Sequence, residues 1–372
     1  MSDELTELLQ AEKSNPNDDQ LLSKIAFYYL ANPDGRKDLE YFKKAYEANP
    51  NIKNTHNYAF WAYYEYGETD LALPLFKALI AKNPKSFYPY IVYANLLFSP
   101  SDYSNTANIQ AINNHSDLLI ELYQKSIILF NNTPQDYQNS HQHELAYLYN
   151  NLANFYVAQQ DFTKADECYN QAIDIFSDML QDKHSCLNDE SIKDYLCSIA
   201  LNKVRLNVIN NDLATAKKFL VLAESYNTDS RLDIAYCYAL MGDYQQSYQT
   251  LNGKFNFHFS WTWLCYAIWQ TDMTAWQAYV KGLIDAEMVQ IQEYQDELAN
   301  CKDSEKQDIQ DTIQYHQDEL AQISQFIDTP PTPELSAKEQ CLADLHYFYK
   351  CWLLGCENCH NLTNDDNEWI GA

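Results

Sequence analysis

A motif near the end of the sequence contains residue types that can bind metal. Cys356, Cys359 and His360 follow the C-x-x-C-H spacing, which is the pattern of covalent haem attachment. That attachment requires an oxidising compartment, whereas the N-terminal stretch MSDELTELLQAEK is polar and acidic and lacks the apolar region of a secretory signal. We therefore expect no haem.

Zinc is the alternative for the same motif, because Zn²⁺ prefers four tetrahedral thiolate and imidazole ligands. A further ligand could come from Cys351, Cys341 or His346. Zinc ribbons and fingers normally carry two well-spaced ligand pairs, and this sequence has a single C-x-x-C pair. We expect no metal and no cofactor, and we keep one zinc site as the alternative, with the ligands Cys351, Cys356, Cys359 and His360.

Motifs of common enzyme classes are missing from the sequence. It has only 7 Gly in 372 residues and neither G-x-G-x-x-G nor G-x-x-x-x-G-K-[ST], so no dinucleotide or P-loop site is expected. No G-x-S-x-G nucleophile elbow occurs. His141, His143 and Glu144 precede a predicted helix, and we interpret them as solvated N-terminal residues rather than metal ligands. The sequence predicts a protein without catalysis of its own.

The strong negative charge narrows the choice of partner. The chain carries 52 acidic and 25 basic residues, for a net charge of −27. Nucleic acid is not expected as a partner, because phosphate binding requires clustered Lys and Arg. No apolar run is long enough to span a membrane, and the ten cysteines show no regular disulfide framework. These features predict an acidic cytoplasmic protein with reduced thiols, whose protein partner could be basic.

Regularly spaced prolines reveal how the chain is organised. Asn-Pro-Asn occurs at 15–17 and 49–51 and Asn-Pro-Lys at 83–85, so Pro16, Pro50 and Pro84 lie 34 residues apart. Because proline cannot continue a helix, each one marks the end of a helix. The spacing resembles that of the tetratricopeptide repeat family, whose two-helix units stack on one another. This resemblance implies an all-α helical solenoid.

The stretch from Ala146 to Met179 carries the resemblance most clearly. Small or large apolar residues recur along one side of two predicted helices, namely Leu152, Ala153, Tyr156, Ala165, Tyr169 and Ala172. Gln160 stands where the family has a turn glycine, whereas the similar unit from Lys53 to Ser86 has Gly67 at its turn. Small residues at these positions allow the two helices to approach closely.

We predict about six such units over residues 1–256, with a polar insertion near 99–115 that emerges as a loop. Residues 257–284 are predicted to form capping helices that close the array, because terminal repeats must cover the apolar core. This segment is rich in tryptophan, with Trp261, Trp263, Trp269 and Trp276.

The last part of the chain is predicted to form two further elements. Residues 285–328 lack Gly and Pro and contain twelve Asp or Glu, and their Gln, Glu and Leu residues favour helix, so we expect an acidic helical hairpin with its turn near 300–304. Residues 329–372 begin with a proline-rich linker. A C-terminal helix over about 336–354 and a polar tail should follow.

The resemblance also implies where a partner would bind. In tetratricopeptide arrays the first helix of each unit lines a concave groove, chiefly with its second, fifth, ninth and twelfth residues. The corresponding residues here are Asn57, Trp61, Tyr64, Tyr88, Asn95, Tyr147, Asn150, Asn154 and Arg205. Asparagine can both donate to and accept from a peptide backbone, and aromatic residues add burial with few rotors to order. Because Arg205 is the only basic residue among them, recognition of a free C-terminus is not expected.

Three functional hypotheses follow. The first is a non-catalytic adaptor or scaffold that binds a peptide or protein segment in the groove. The second is an acidic inhibitor or immunity-type protein that neutralises a basic toxin or nuclease. The third is a zinc-containing regulator or enzyme built on the C-terminal cysteines. Salt separates the first two, because it screens a charge-driven complex more than one held by aromatic burial.

Overall fold

The chain is helical throughout the part that the computed structural model describes, which is residues 3–98, 105–182, 187–226, 230–255, 261–302 and 306–345. Eighteen helices occur in these residues, and most of them pack against a neighbour in sequence. They fall into two compact units, one within Met1–Asn188 and the other Asp189–Leu345. The predicted all-α class with consecutive helix pairs is confirmed. The division between the units lies inside the segment that we predicted as one array.

The first unit is built from four helix pairs, α2 with α3, α4 with α5, α6 with α7 and α9 with α10. Its helices are α1 (Asp3–Ser14), α2 (Asp19–Ala31), α3 (Lys37–Ala48), α4 (Ile52–Tyr64), α5 (Thr69–Ala81), α6 (Tyr88–Phe98), α7 (Asn105–Phe130), α8 (Gln135–Ser140), α9 (Gln142–Ala158) and α10 (Phe162–Gln181).

The second unit continues the pairing with α11 and α12, α13 and α14, and α15 and α16. In addition, α16 forms a hairpin with α17, and α18 packs against α11. The helices are α11 (Asp189–Ile209), α12 (Leu213–Ser225), α13 (Arg231–Leu240), α14 (Tyr244–Leu251), α15 (Thr262–Thr271), α16 (Met273–Asn300), α17 (Lys306–Ser324) and α18 (Ala337–Ala343).

The periodic prolines lie just after helix ends, as predicted. Pro16 follows the end of α1, Pro50 the end of α3 and Pro84 the end of α5. Asn83 precedes Pro84 with a φ of 51°, and the backbone N–H of Asn49 caps α3 by donating to the carbonyl of Ala45. The repeat spacing in the sequence is therefore a spacing of helix ends.

The turns inside several pairs repeat one design. The residue before the N-cap has a positive φ, which is 65° at Gly67, 59° at Gln160, 63° at Asn211 and 79° at Gly242. An acidic residue follows each of them, and Asp161, for example, caps α10 by accepting from the backbone N–H of Lys164 at 3.2 Å. Gln160 therefore adopts the left-handed backbone conformation that glycine adopts at Gly67 and Gly242. That conformation is strained for a residue with a Cβ atom.

Small residues lie at the closest helix contacts. The alanines predicted for the α9–α10 pair, Ala153, Ala165 and Ala172, are fully buried, as is Tyr169. Further fully buried alanines in both units include Ala59, Ala72, Ala216, Ala223 and Ala235. An alanine lets two helix backbones approach closely, and an aromatic ring from the next turn fills the remaining volume.

Two helices differ in extent from the sequence predictions. We expected a polar loop over Ser99 to Asn113, but α7 begins at Asn105, because the stretch Asn105-Thr-Ala-Asn-Ile-Gln-Ala-Ile contains no Gly or Pro to stop a helix. Residues 99–104 lie outside the described part. Helix α16 runs without a break from Met273 to Asn300, across the predicted boundary at 284.

The last described helix is shorter than predicted. We expected a helix over about 336–354, but α18 ends at Ala343 and Asp344 forms a turn; residues 346–354 lie outside the described part. Ser336 and Glu339 form a capping box at the start of α18, in which the Glu339 carboxylate accepts from the Ser336 backbone N–H at 3.0 Å.

Candidate functional site

The predicted binding residues on α4 share one side of that helix. Asn57, Trp61 and Tyr64 are spaced by four and three residues, so their side chains are neighbours on the helix surface. The Trp61 ring lies in T-shaped contact with Tyr64 at a centroid distance of 6.0 Å and stacks on Phe42 of α3 at 6.2 Å. Tyr64 is 67% exposed, whereas Asn57 is 1% and Trp61 is 8% exposed. The α4 face, defined by Asn57, Trp61 and Tyr64, therefore runs from the interior to solvent.

The polar atoms of the α4 face have unused hydrogen-bonding capacity. Both amide atoms of Asn57, Nδ2 and Oδ1, are buried without a hydrogen-bond partner. The indole Nε1 of Trp61 is also buried without one. A buried polar group left unpaired costs about 1–3 kcal/mol. These donors and this acceptor could pair with a peptide group only after the side chains over them move, because the atoms themselves have almost no solvent-accessible surface.

The predicted residues on α6 are engaged by side chains of the same unit. Tyr88 is fully buried, and its hydroxyl forms a hydrogen bond with the Tyr137 hydroxyl of α8. Asn95 is half-buried, and its Oδ1 accepts from the Tyr123 hydroxyl of α7 at 3.3 Å. We expected Asn95 to present its amide to a peptide, but its carbonyl joins α6 to α7.

The predicted residues on α9 are also buried. Tyr147, Asn150 and Asn154 have no exposed surface. Asn154 Oδ1 accepts from the Tyr169 hydroxyl of α10 at 2.5 Å, and Asn150 Nδ2 donates to Asn151 at 3.2 Å. Two of the asparagines predicted to line the groove, Asn95 and Asn154, therefore accept hydrogen bonds from tyrosines on the second helices of their pairs, α7 and α10. A role of these residues in peptide binding stays a prediction.

The polar stretch at the start of α9, His141 to Glu144, is less solvated than we had interpreted it to be. Glu144 is 1% exposed, and its carboxylate accepts from the Tyr137 hydroxyl at 3.0 Å. The Tyr137 ring stacks on His141 at a centroid distance of 3.9 Å. Burial is the main cause that raises the pKa of Tyr137 and lowers the pKa of His141. The six-residue helix α8, which the sequence analysis did not anticipate, brings Tyr137 over this stretch.

Arg205 lies on α11 in the second unit, the helix against which α18 packs. It is 5% exposed, and its Nη1 donates to Asn202 Oδ1 at 3.2 Å, while its Nε has no hydrogen-bond partner. Burial alone would lower the pKa of Arg205, but Cys237, Asp344 and Asp233 outweigh it and raise that pKa. Asp344 follows α18 directly, and burial raises its pKa against the opposing charge of Arg205.

Tryptophan side chains hold the chain that leads to α18. The indole Nε1 of Trp276 donates to the backbone carbonyl of Phe326 at 2.9 Å, and that of Trp269 donates to the carbonyl of Asp328 at 3.0 Å. Gln277 Nε2 also donates to the Asp328 carboxylate at 3.0 Å. From the sequence we predicted capping helices for these tryptophans and did not predict their hydrogen bonds to residues 326 and 328. A capping-box pattern after a proline-rich linker, at Ser336 and Glu339, was the signal for a short docked helix.

A cavity of about 390 Å³ opens between α5, α6 and α7 in the first unit. Its apolar wall includes Ile80, Leu122 and Ile128, and Glu121 and Lys125 also line it. Because these two charges have opposite sign, the cavity suits an apolar side chain better than an ion.

The metal hypothesis concerns residues outside the described part. Cys351, Cys356, Cys359 and His360 all lie beyond residue 345. Among the described residues, no group of three or more His, Cys, Asp or Glu side chains is arranged to hold a metal ion. The cysteines of the described part, including Cys237, Cys265 and Cys341, form no disulfide there. A zinc site at the C-terminal motif stays a prediction.

Comparison with known proteins agrees with the helix pairs. Residues 146–178 match the tetratricopeptide repeat family, and they cover most of the α9–α10 pair, where the sequence resemblance was clearest. The chain thus contains a tetratricopeptide repeat within an all-α array of helix pairs, an architecture that indicates protein–protein interaction. No curated protein matches the chain. In the described residues, no helix is both long and apolar enough to cross a membrane.

Proposed function

We propose that this protein is a non-catalytic adaptor that binds an extended peptide segment of a partner protein on the α4 face. The observation that carries the proposal is the pair of buried, unpartnered polar side chains on that face, Asn57 and Trp61. The lack of disulfides among the described cysteines fits an adaptor that works in the cytoplasm.

Unpaired amide atoms give the α4 face a preference for peptide backbone. Once the side chains over these buried atoms move aside, the Asn57 amide can accept from a backbone N–H and donate to a backbone carbonyl, and the Trp61 indole can donate to a second carbonyl. These contacts do not depend on the partner's side chains. Each also relieves a desolvation penalty that the free protein already bears. Tyr64, exposed at the end of the face, can cover the bound segment with an aromatic ring.

This arrangement predicts opposite effects on binding and on stability. Asn57→Leu removes an unpartnered buried amide and keeps a side chain of similar size, so it should raise the melting temperature of the free protein. The same change should weaken peptide binding by about tenfold or more, because about 1.4 kcal/mol corresponds to a factor of ten. A purely structural asparagine would not combine these two effects.

The test uses peptides selected from a displayed random library against the full chain. Binding of a selected peptide is measured by fluorescence anisotropy for the wild type, Asn57→Leu and Trp61→Phe. Ser247→Ala and Trp263→Phe are matched controls, because Ser247 Oγ and Trp263 Nε1 are also buried without partners but lie in the second unit. We expect weaker binding only for the α4 variants. Equal affinity for all five proteins would contradict the proposal.

The acidic inhibitor is the second candidate, and the net charge of −27 favours it. It predicts a basic protein partner, an affinity that falls steeply with added salt and no sensitivity to Trp61→Phe. Measuring the same complexes at low and high salt therefore separates the candidates. A peptide bound at the α4 face should keep most of its affinity at high salt.

A further inference from the structure

The C-terminal segment, residues 326–345, is held in the second unit by contacts of the kind that bind peptides. Side-chain donors of Trp269 and Trp276 pair with backbone carbonyls of the segment, whereas most backbone carbonyls inside a domain pair with backbone N–H groups. Hydrogen bonds from side chains to main-chain groups are a general way to bind an extended peptide, and they do not depend on the peptide's sequence.

The helical end of the segment docks on α11. Within α18, Gln340 is 6% and Cys341 0% exposed, and Leu345 just beyond the helix is 4% exposed, so this end of the segment is buried. Helix α18 has only seven residues, and a helix of that length is not stable by itself in water. Its order therefore depends on the surface on which it lies. The prolines Pro330, Pro331 and Pro333 lie inside the segment and separate α18 from α17, so a non-helical stretch joins α18 to the rest of the unit.

The Asp344 carboxylate of the segment and the Arg205 guanidinium of α11 each keep a buried polar atom without a hydrogen bond. Asp344 Oδ1 accepts from Gln340 Nε2 at 2.9 Å, and the hydroxyl of the buried Tyr236 lies beside the same carboxylate, but Asp344 Oδ2 forms no hydrogen bond of normal geometry. Arg205 Nε is likewise buried without a partner. Carboxylate and guanidinium can form two parallel hydrogen bonds when they face each other well. The segment therefore places a carboxylate near Arg205 without completing that pairing.

We propose that the surface formed by Arg205, Tyr236, Trp269 and Trp276 is a second peptide-binding site, and that the chain's own residues 326–345 are its resident occupant. An external partner would carry an extended stretch followed by a short helix, with a carboxylate that completes the pairing with Arg205. The site is independent of the α4 face, because all of its residues belong to the second unit.

Tethering explains why the resident segment can block a partner. A segment joined by a short linker acts at an effective concentration in the millimolar range, and its release can raise the apparent affinity for a competitor by about a hundredfold. Weakening α18 should therefore open the surface. Cys341→Arg should release α18, since it places a charge at a fully buried position of that helix. The pair Gln340→Ala and Asp344→Ala does so more mildly, because it removes polar contacts and leaves Cys341 in place.

The experiment adds a fluorescent peptide of residues 326–345 to the full-length protein. We expect weak binding to the wild type and binding at least about tenfold tighter in either opened variant. Adding Arg205→Met to the opened variant should abolish the gain. Thermal unfolding of each variant establishes that it is folded. A folded opened variant that gains no affinity, or a gain that survives Arg205→Met, would overturn the proposal.

A measurement on the unmodified protein keeps the proposal testable if the variants fail to fold. Hydrogen exchange of the wild type should show the amides of α18 exchanging by local release, much faster than those of α11. Equal protection of α18 and α11 would identify α18 as an ordinary core element and overturn the proposal. A wild-type dimer that dissociates on Cys341→Arg would mean that the occupant belongs to a second copy, which contradicts the intramolecular occupant.

Discussion

The α4 face of the first unit and Arg205 on α11 of the second unit differ in what surrounds their polar atoms. On α4, Asn57 and Trp61 have buried atoms without partners. On α11, against which the chain's own helix α18 packs, Arg205 lies close to the charge of Asp344. Side chains at corresponding repeat positions therefore differ in their contacts between the two units. We propose that Asn57 and Trp61 bind a partner protein and that Arg205 binds the chain's own segment, so the role of such a residue depends on its contacts and not on its repeat position alone.

The largest expected effect concerns the second unit, where Trp276 belongs both to the core and to the contact with the C-terminal segment. Trp276 is fully buried, so Trp276→Ala should lower the free energy of unfolding by about 3–5 kcal/mol. Trp276→Phe keeps most of the volume and removes the indole N–H bonded to Phe326, so it should cost clearly less. Urea denaturation measures both. Equal losses for the two variants would mean that the hydrogen bond, and not the packing, dominates at this position.

A smaller effect is expected in the first unit, where tyrosines satisfy the buried polar groups. Tyr137→Phe removes the hydroxyl that pairs with Tyr88 and Glu144. It leaves the buried Glu144 carboxylate with fewer donors, so we expect a loss of about 1–3 kcal/mol in the free energy of unfolding. Tyr315→Phe is the control, because Tyr315 is 61% exposed and should change stability little. A Tyr137→Phe variant as stable as this control would contradict the buried contact.

Replacing Gln160 tests the left-handed turn that the helix pairs share, because the substitution should increase stability. Its φ of 59° is strained for a residue with a Cβ atom, so Gln160→Gly should raise the free energy of unfolding by about 0.5–1 kcal/mol. At the neighbouring Gln159 the φ is −81°, and Gln159→Gly should lower stability instead. Chemical denaturation of the two variants gives the sign of each effect. A loss in both would argue against the left-handed turn.

The smallest effect is a pH dependence in the first unit. Burial lowers the pKa of His141 below its ordinary value of 6.5, so the folded state binds its proton less tightly than the unfolded state does. The contribution of His141 to stability is therefore complete above that value and is lost as the pH falls toward the folded-state pKa. Comparing His141→Phe with the wild type from neutral to mildly acidic pH isolates this slope. Identical slopes for the two proteins would show that His141 is not coupled to unfolding.

The sequence predicted the helix pairs well, because their signals are local. Prolines such as Pro50 and Pro84 mark helix ends, and buried alanines such as Ala165 and Ala172 mark close helix contacts. The glycine position at Gln160 could also be found, because the turn that follows α9 repeats the one at Gly67. Periodicity is sufficient for these features, since each of them is set within one helix pair.

The candidate sites were harder to predict, because they depend on individual side-chain contacts that no repeat pattern specifies. The position of Asn154 suggested a free amide, and no local pattern indicates that Tyr169 occupies its carbonyl. The meeting of Arg205 with Asp344 likewise depends on where α18 docks, more than a hundred residues later. Unsatisfied atoms such as those of Asn57 are visible only once the surrounding packing is known.

The central claim is that the α4 face binds peptide backbone, and hydrogen exchange of the full chain with a library-selected peptide tests it most directly. We expect the peptide to slow exchange in α4, around Asn57 and Trp61, at both low and high salt, and to lose this effect in Trp61→Phe but not in Trp263→Phe. Protection confined to the acidic hairpin of α16 and α17, and lost at high salt, would contradict the claim and favour the charge-driven inhibitor.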